Sequence, residues 1–168
     1  MRSKVRNGFT LLELLVVVAI IAILATIAIY NFMGAMNRGK QKRTMADMRT
    51  IAQAWDARAG DTRSYSAAGY TFPSVGVTYP ALSGILTPTY IRSLPRNDGW
   101  MRPFAFGADA AVASGSGQAT TYSIRSAGRD GSYSGSTYTS GATTDYDCDI
   151  VYSNGTFVSW PEGVQGKD

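Results

Sequence analysis

Residues 14–25 read LLVVVAIIAILA, with no polar side chain. Nothing else in the sequence restricts the fold as strongly. The wider stretch 9–30, FTLLELLVVVAIIAILATIAIY, is broken only by Thr10, Glu13 and Thr26. As a helix rising about 1.5 Å per residue it spans about 33 Å, close to the hydrocarbon core of a bilayer. Every face is apolar, so a small soluble domain could not cover it. Hydropathy alone admits a single-span anchor or a cleavable secretory signal. A signal needs a shorter core followed by an A-x-A-like site, which Ala22-Ile23-Leu24-Ala25 and Ala25-Thr26-Ile27-Ala28 fit poorly, and the anchor is the better reading. Arg2, Lys4 and Arg6 before the span balance Arg38, Lys40, Lys42 and Arg43 after it, so charge does not decide orientation.

The rest of the composition narrows the chemistry. The chain has no His and one Cys, Cys148. Imidazole catalysis, His-ligated zinc, an internal disulfide and a four-thiolate site are therefore excluded. There is no G-x-S-x-G motif and no Ser-x-x-Lys motif with partners, so the expectation is a non-enzyme in which Cys148 is a small structural residue. The net charge of +4 owes much to the first eight residues, and no aromatic residue interleaves with Arg38-Gly-Lys-Gln-Lys-Arg43. A nucleic-acid partner is not expected. That cluster suits lipid headgroups or, more simply, a solvated juxtamembrane face.

Glu13 is the odd residue in the span. A carboxylate inside a membrane costs on the order of 2.5–3.5 kcal/mol on insertion scales. Either it lies at the interface, favoured by the helix dipole, or it has a cationic partner. The stretch NGFTLLELLVVVAIIAILA at 7–25 resembles the leader and helix of the type IV pilin-like family. The resemblance implies cleavage between Gly8 and Phe9 by a membrane-embedded prepilin peptidase. It also implies N-methylation of Phe9 and a role for Glu13 in filament assembly. Cleavage would create an ammonium four residues from Glu13, and methylation keeps its charge. In the family the amine belongs to a neighbouring subunit, so the buried pair sets register. Many members carry glycine and proline where this chain has Ala22 and Tyr30. This helix is therefore expected to be more continuous than theirs.

Past residue 34, Met45, Met48, Ala52, Trp55 and Ala59 recur at helical spacing, a seam for a globular head, with Arg49, Asp56 and Arg58 among outward positions. Gly34 and Gly39 weaken the helix locally, and Gly60-Asp61 end it. Residues 61–103 read as irregular, punctuated by Pro73, Pro80, Pro88, Pro95 and Pro103. One short helix is expected at 79–86, with Thr78 as cap and Leu82, Ile85 and Leu86 facing the core. Strands are expected at 104–106 and 121–125, and a hairpin at 149–160 turns on Asn154-Gly155. The stretch LTPTYIRSLPRNDGWMRPF at 86–104 resembles the signature of major pseudopilins of type II secretion systems. Its Asn97-Asp98-Gly99 turn delivers Trp100 to the core. The expected fold is α+β, a long N-terminal helix on a small antiparallel sheet. The boundaries are a leader at 1–8, a transmembrane helix at 9–33, an amphipathic half at 34–60 and a head at 61–168.

Residues 126–148, SAGRDGSYSGSTYTSGATTDYDC, form a long loop poor in aliphatic side chains. Its oxygen donors without His suit calcium; a solvated, flexible loop is the alternative. Major pseudopilins bind calcium here through an S-x-G-x-D-G stretch and acids before an isoleucine. The resemblance thus implies Asp130 and Asp149 as ligands. Cys148 stands where a second acid commonly adjoins, leaving Asp147 to substitute from one residue away, with Asp145 beyond it.

The resemblance implies a structural subunit in the inner membrane with a periplasmic head. It would polymerise into the pseudopilus that drives folded proteins across the outer membrane. Implied partners are other copies of the chain, the prepilin peptidase, minor pseudopilins, the inner-membrane assembly platform and membrane lipid. A type IV pilus subunit is the alternative.

Overall fold

The computed structural model describes residues 8–62, 75–108 and 121–166. Residues 1–7 of the expected leader, and Pro73, lie outside them. The chain divides into two compact units, one ending at Met36 and one beginning at Asn37.

Helix α1 runs Leu11–Thr62, without the break that glycine and proline would introduce at positions 22 and 30. Its start is fixed by Thr10, whose Oγ1 accepts the N–H of Glu13 at 3.2 Å. Thr10-x-x-Glu13 has the spacing of a capping box. Up to Met36 the side chains are exposed apart from a half-buried Gly34. Thr26 turns its hydroxyl back onto the carbonyl of Ala22 at 2.9 Å, so the one polar group in mid-span is satisfied within the helix.

The second unit is built on the rest of α1. Met48, Ile51, Ala52 and Trp55 are buried, and Met45 packs against them. The seam is wider than the expected stripe, because Ala54, Gln41 and Thr44 are buried too. Arg49 stays outside, its guanidinium 5.1 Å from the ring centre of Phe157. Asp56 is half-buried rather than fully outward, and its Oδ1 accepts the hydroxyl of Tyr122. The ring of Tyr122 stacks on Trp55 at 4.7 Å, which carries the hydroxyl to that carboxylate.

Helix α2, Tyr79–Leu86, forms as expected, with proline in its first turn. Thr78 caps it through backbone geometry alone, without a side-chain bond. Leu82 and Leu86 are buried, and Ile85 packs beside them. Among the described residues six strands form one sheet, in the order β1-β2-β3-β5-β6-β4. They are β1 (Val75–Val77), β2 (Ala105–Ala108), β3 (Tyr122–Ser126), β4 (Gly141–Thr143), β5 (Ile150–Ser153) and β6 (Thr156–Pro161). Asn154 and Gly155 join β5 to β6 with φ of 43° and 89°, the positive pair a type I′ turn needs.

The sheet is mixed where an antiparallel one was expected. β4 lies parallel to β6, with Gly141 opposite Ser159. The short link from β4 to β5, residues 144–149, favours it: with β4 parallel to β6 and β6 antiparallel to β5, the end of β4 and the start of β5 lie at the same end of the sheet. β1 was not expected either. It is a three-residue strand that takes its hydrogen bonds from β2.

Candidate functional site

Two places carry functional chemistry, one in each unit. In the first, Gly8 and Phe9 precede α1 and are exposed, so the bond expected to be cut lies outside the helix. Glu13 follows at the fourth position from Phe9, on the first turn of α1. Among the described residues no cation pairs with its carboxylate. The T-x-x-E spacing at Thr10–Glu13 is the sequence signal for this cap.

In the second unit the site begins at the Asp98-Gly99-Trp100 turn. Asp98 is buried, and its Oδ1 accepts the N–H groups of Trp100 at 2.8 Å and Arg102 at 2.9 Å. Its Oδ2 accepts the hydroxyl of Ser126 at 2.6 Å. One carboxylate therefore ties the turn to the end of β3, where the long loop starts. Trp100 reaches the core edge and is half-buried, with its Nε1 buried and unpartnered. Arg102 continues the tie by donating to the carbonyl of Arg129 at 2.9 Å.

The loop is held down rather than free. Tyr138 is buried on Val151 and Val158, on the opposite face of the sheet from α1. That is why β5 is buried on both faces. Arg125, next to the core residue Ile124 on β3, donates to the carbonyl of Gly135 at 2.6 Å and to the Tyr138 hydroxyl at 3.0 Å. Its guanidinium lies 4.0 Å from the ring centre of Tyr133. The loop turns at Gly128, whose φ of 64° suits glycine and whose missing Cβ leaves room for the carbonyls of Tyr146 and Cys148.

The expected ligands separate into two groups. Asp149 is 3% exposed. Its Oδ2 accepts the N–H of Ser134 and the hydroxyl of Tyr138, both at 2.8 Å. Its Oδ1 is buried without a partner. Burial pushes the carboxyl above its ordinary range, the two hydrogen bonds and Arg125 oppose that, and the charge of Asp130 adds to it. Tyr138 is pushed up to about 12, chiefly by burial, and stays a neutral donor to Asp149. Asp130 is exposed, with Oδ1 accepting the N–H of Ser132 at 3.0 Å.

Asp147 is engaged elsewhere: Arg129 donates to its Oδ1 at 2.6 Å and its Oδ2 at 2.9 Å. Asp145 accepts the N–H of Asp147 at 2.9 Å and serves the turn. Half-buried Cys148 has its thiol pushed up by burial and by the surrounding acids. A buried carboxylate oxygen without a partner, in the field of Asp130, is a group that a hard divalent cation would satisfy. Among the described residues no three acids or thiols converge, so carbonyl, hydroxyl and water oxygens would have to complete the shell.

Residues 3–29 match the prokaryotic N-terminal methylation motif, a stretch containing Gly8, Phe9 and Glu13. The chain is 33% identical over 137 residues to the type II secretion system core protein G of Klebsiella michiganensis, covering 78% of this chain and 89% of the relative. It is 30% identical over 129 residues to the Escherichia coli protein of that name, covering 75% and 83%. The Aeromonas hydrophila protein is 28% identical over 107 residues, covering 62% and 74%. No match to a solved structure was found. With the methylation motif at one end and these relatives aligned along most of its length, the chain belongs to the type II secretion system core protein G family.

Proposed function

We propose that this chain is the major structural subunit of a type II secretion pseudopilus, a periplasmic filament that drives folded proteins across the outer membrane. The observation that carries the reading is a helix with no cover: the apolar segment of α1 is exposed all round and bears a single carboxylate near its start. Such a surface is at rest in lipid or against other copies of itself, and nowhere else. After cleavage at Gly8–Phe9, the methylated ammonium of one copy meets Glu13 of the next. The pair converts a costly charge into a mark of register. The subunit is a mechanical element without catalysis of its own.

Calcium in the head would be held by Asp149 and Asp130. It would supply the positive charge that the orphaned Oδ1 lacks, pinning the loop to the sheet from outside the membrane. The Arg129–Asp147 pair holds the adjoining turn without metal.

Deletion of the gene tests the reading. Loss of exoprotein secretion, restored by the full chain, is the expected result. Normal secretion together with loss of surface filaments would assign the chain to a type IV pilus instead.

A further inference from the structure

The unit that begins at Asn37 carries its exposed apolar side chains in an uneven way. Among its described residues the large exposed hydrophobics are Met101, Tyr133 and Val164. Met101 is 69% exposed and Val164 86%. They are far apart in sequence, yet both lie beside the first turns of this unit's part of α1. The turn bearing Met101 is fixed there because Gly99 packs on the backbone of Lys40 and donates to Thr44. The segment bearing Val164 is fixed there because Gln165 accepts a hydrogen bond from Gln41 at 3.0 Å. Met101 also holds a φ of 66°, a left-handed backbone that a side chain of its size seldom adopts, and it displays that side chain to solvent.

The same end is basic. An open cleft of about 390 Å³ is lined by Arg43, Arg96 and Met101 among others. A second, of about 210 Å³, is lined by Arg38, Lys42 and Gly163, the neighbour of Val164. The acids in these clefts are Asp47 and Glu162. Asp47 pairs with Arg43 at 3.5 Å, and Glu162 accepts the indole N–H of Trp160 at 3.0 Å. Exposed apolar prongs set among lysines and arginines form the pattern that lies in the headgroup layer of an anionic bilayer. Connectivity puts such a bilayer within reach. Only four residues lie between Met33, the end of the apolar stretch, and Arg38, a rise of about 8 Å along α1.

We propose that this end of the unit is a membrane-docking face. Met101 and Val164 enter the interface, and Arg38, Lys42, Arg43 and Arg96 meet the phosphates of anionic phospholipid. The proposal rests on the membrane-anchored reading above. It adds that the subunit, before assembly, is held by its head as well as by its span. Release of that face would then accompany entry into a filament.

The test uses the full chain with Cys148→Ser and one new thiol, Met101→Cys, Val164→Cys or, as a control at the exposed start of β6, Thr156→Cys. Each carries an environment-sensitive fluorophore. The protein is reconstituted into vesicles of phosphatidylcholine alone, or mixed equally with phosphatidylglycerol, with brominated acyl chains as quencher. The expected result is loss of fluorescence at 101 and 164 in the anionic vesicles and none at 156. The quenching should disappear on combining Arg38→Glu, Lys42→Glu and Arg43→Glu, or in 1 M salt, where screening acts within about 3 Å. Labels that stay in water in anionic vesicles overturn the proposal, as does quenching indifferent to charge reversal. Protection that appears only when labelled copies crosslink also overturns it and assigns the face to a second copy. A chain that fails to float with the vesicles after alkaline washing overturns the anchored reading instead.

Discussion

The backbone N–H of Gly99 donates to Oγ1 of Thr44 at 2.9 Å, while the same threonine hydroxyl donates to the carbonyl of Lys40 at 2.9 Å. The turn is thereby drawn against the helix so closely that a Cβ at position 99 would fall on the Lys40 carbonyl. Gly99→Ala should therefore cost about 3 kcal/mol or more, since backbone cannot yield as a side chain can. Thr44→Val, which removes only the hydroxyl bonds, should cost about 1–2 kcal/mol. Thermal melting of the full chain in detergent, followed by near-ultraviolet circular dichroism, ranks the two. Equal losses would mean that the close approach is relieved at little cost.

Asp98 satisfies two N–H groups and one hydroxyl from the interior. Asp98→Ala should cost about 3–5 kcal/mol, because it orphans buried donors as well as losing an acceptor. Ser126→Ala should cost less, since it frees one carboxylate oxygen and leaves both N–H bonds in place. The comparison is made on the same melting curves.

Asp149 gives the head a pH dependence of definite sign. Its native carboxyl titrates above the ordinary value of 3.8, so the folded state holds the proton longer than the unfolded chain does. Without calcium, stability contributed here is full in acid and declines as pH rises from about 3.8 through the native value. Calcium should flatten that decline by neutralising the orphaned oxygen. Asp149→Asn should remove both the slope and the calcium response. Melting temperatures across that pH range, with calcium or with a chelator, provide the measurement. A wild-type curve that a chelator leaves unchanged rules out the metal.

Arg129→Ala separates the two fastenings of the loop. It breaks both hydrogen bonds to Asp147 while leaving Tyr138 and Ser134 on Asp149. The loop 126–148 should then be nicked faster by protease, whereas the rise in melting temperature on adding calcium should persist.

Glu13→Ala should remain inserted and processed but fail to assemble. Mass spectrometry should find the mature chain starting at a methylated Phe9, in variant and wild type alike. Filaments of normal length and number from the variant would disprove the pairing.

The parts legible in sequence were those with local causes. The apolar run made α1, proline in a first turn made α2, and Asn154-Gly155 made the hairpin, because each depends on its own backbone preferences. The parts that were not legible borrow their order from elsewhere. β1 and β4 are three residues each and exist by pairing with β2 and β6. Asp56 read as an outward charge because nothing nearby in sequence announces Tyr122. The candidate ligands Asp130, Asp147 and Asp149 were named from sequence, but not their division of labour. That division depends on Arg129 and Tyr138, which look like ordinary loop residues until the sheet brings them in. Ala22 and Tyr30 forecast an unbroken α1 because the absence of a helix breaker is itself a local signal.

Among the described residues the two margins of the sheet, β1 and β4, are three residues long. A margin that short offers a stray chain too few unpaired amide groups to build on. Copies of the chain brought close together are thus poorly placed to fuse strand to strand into amyloid-like ribbons.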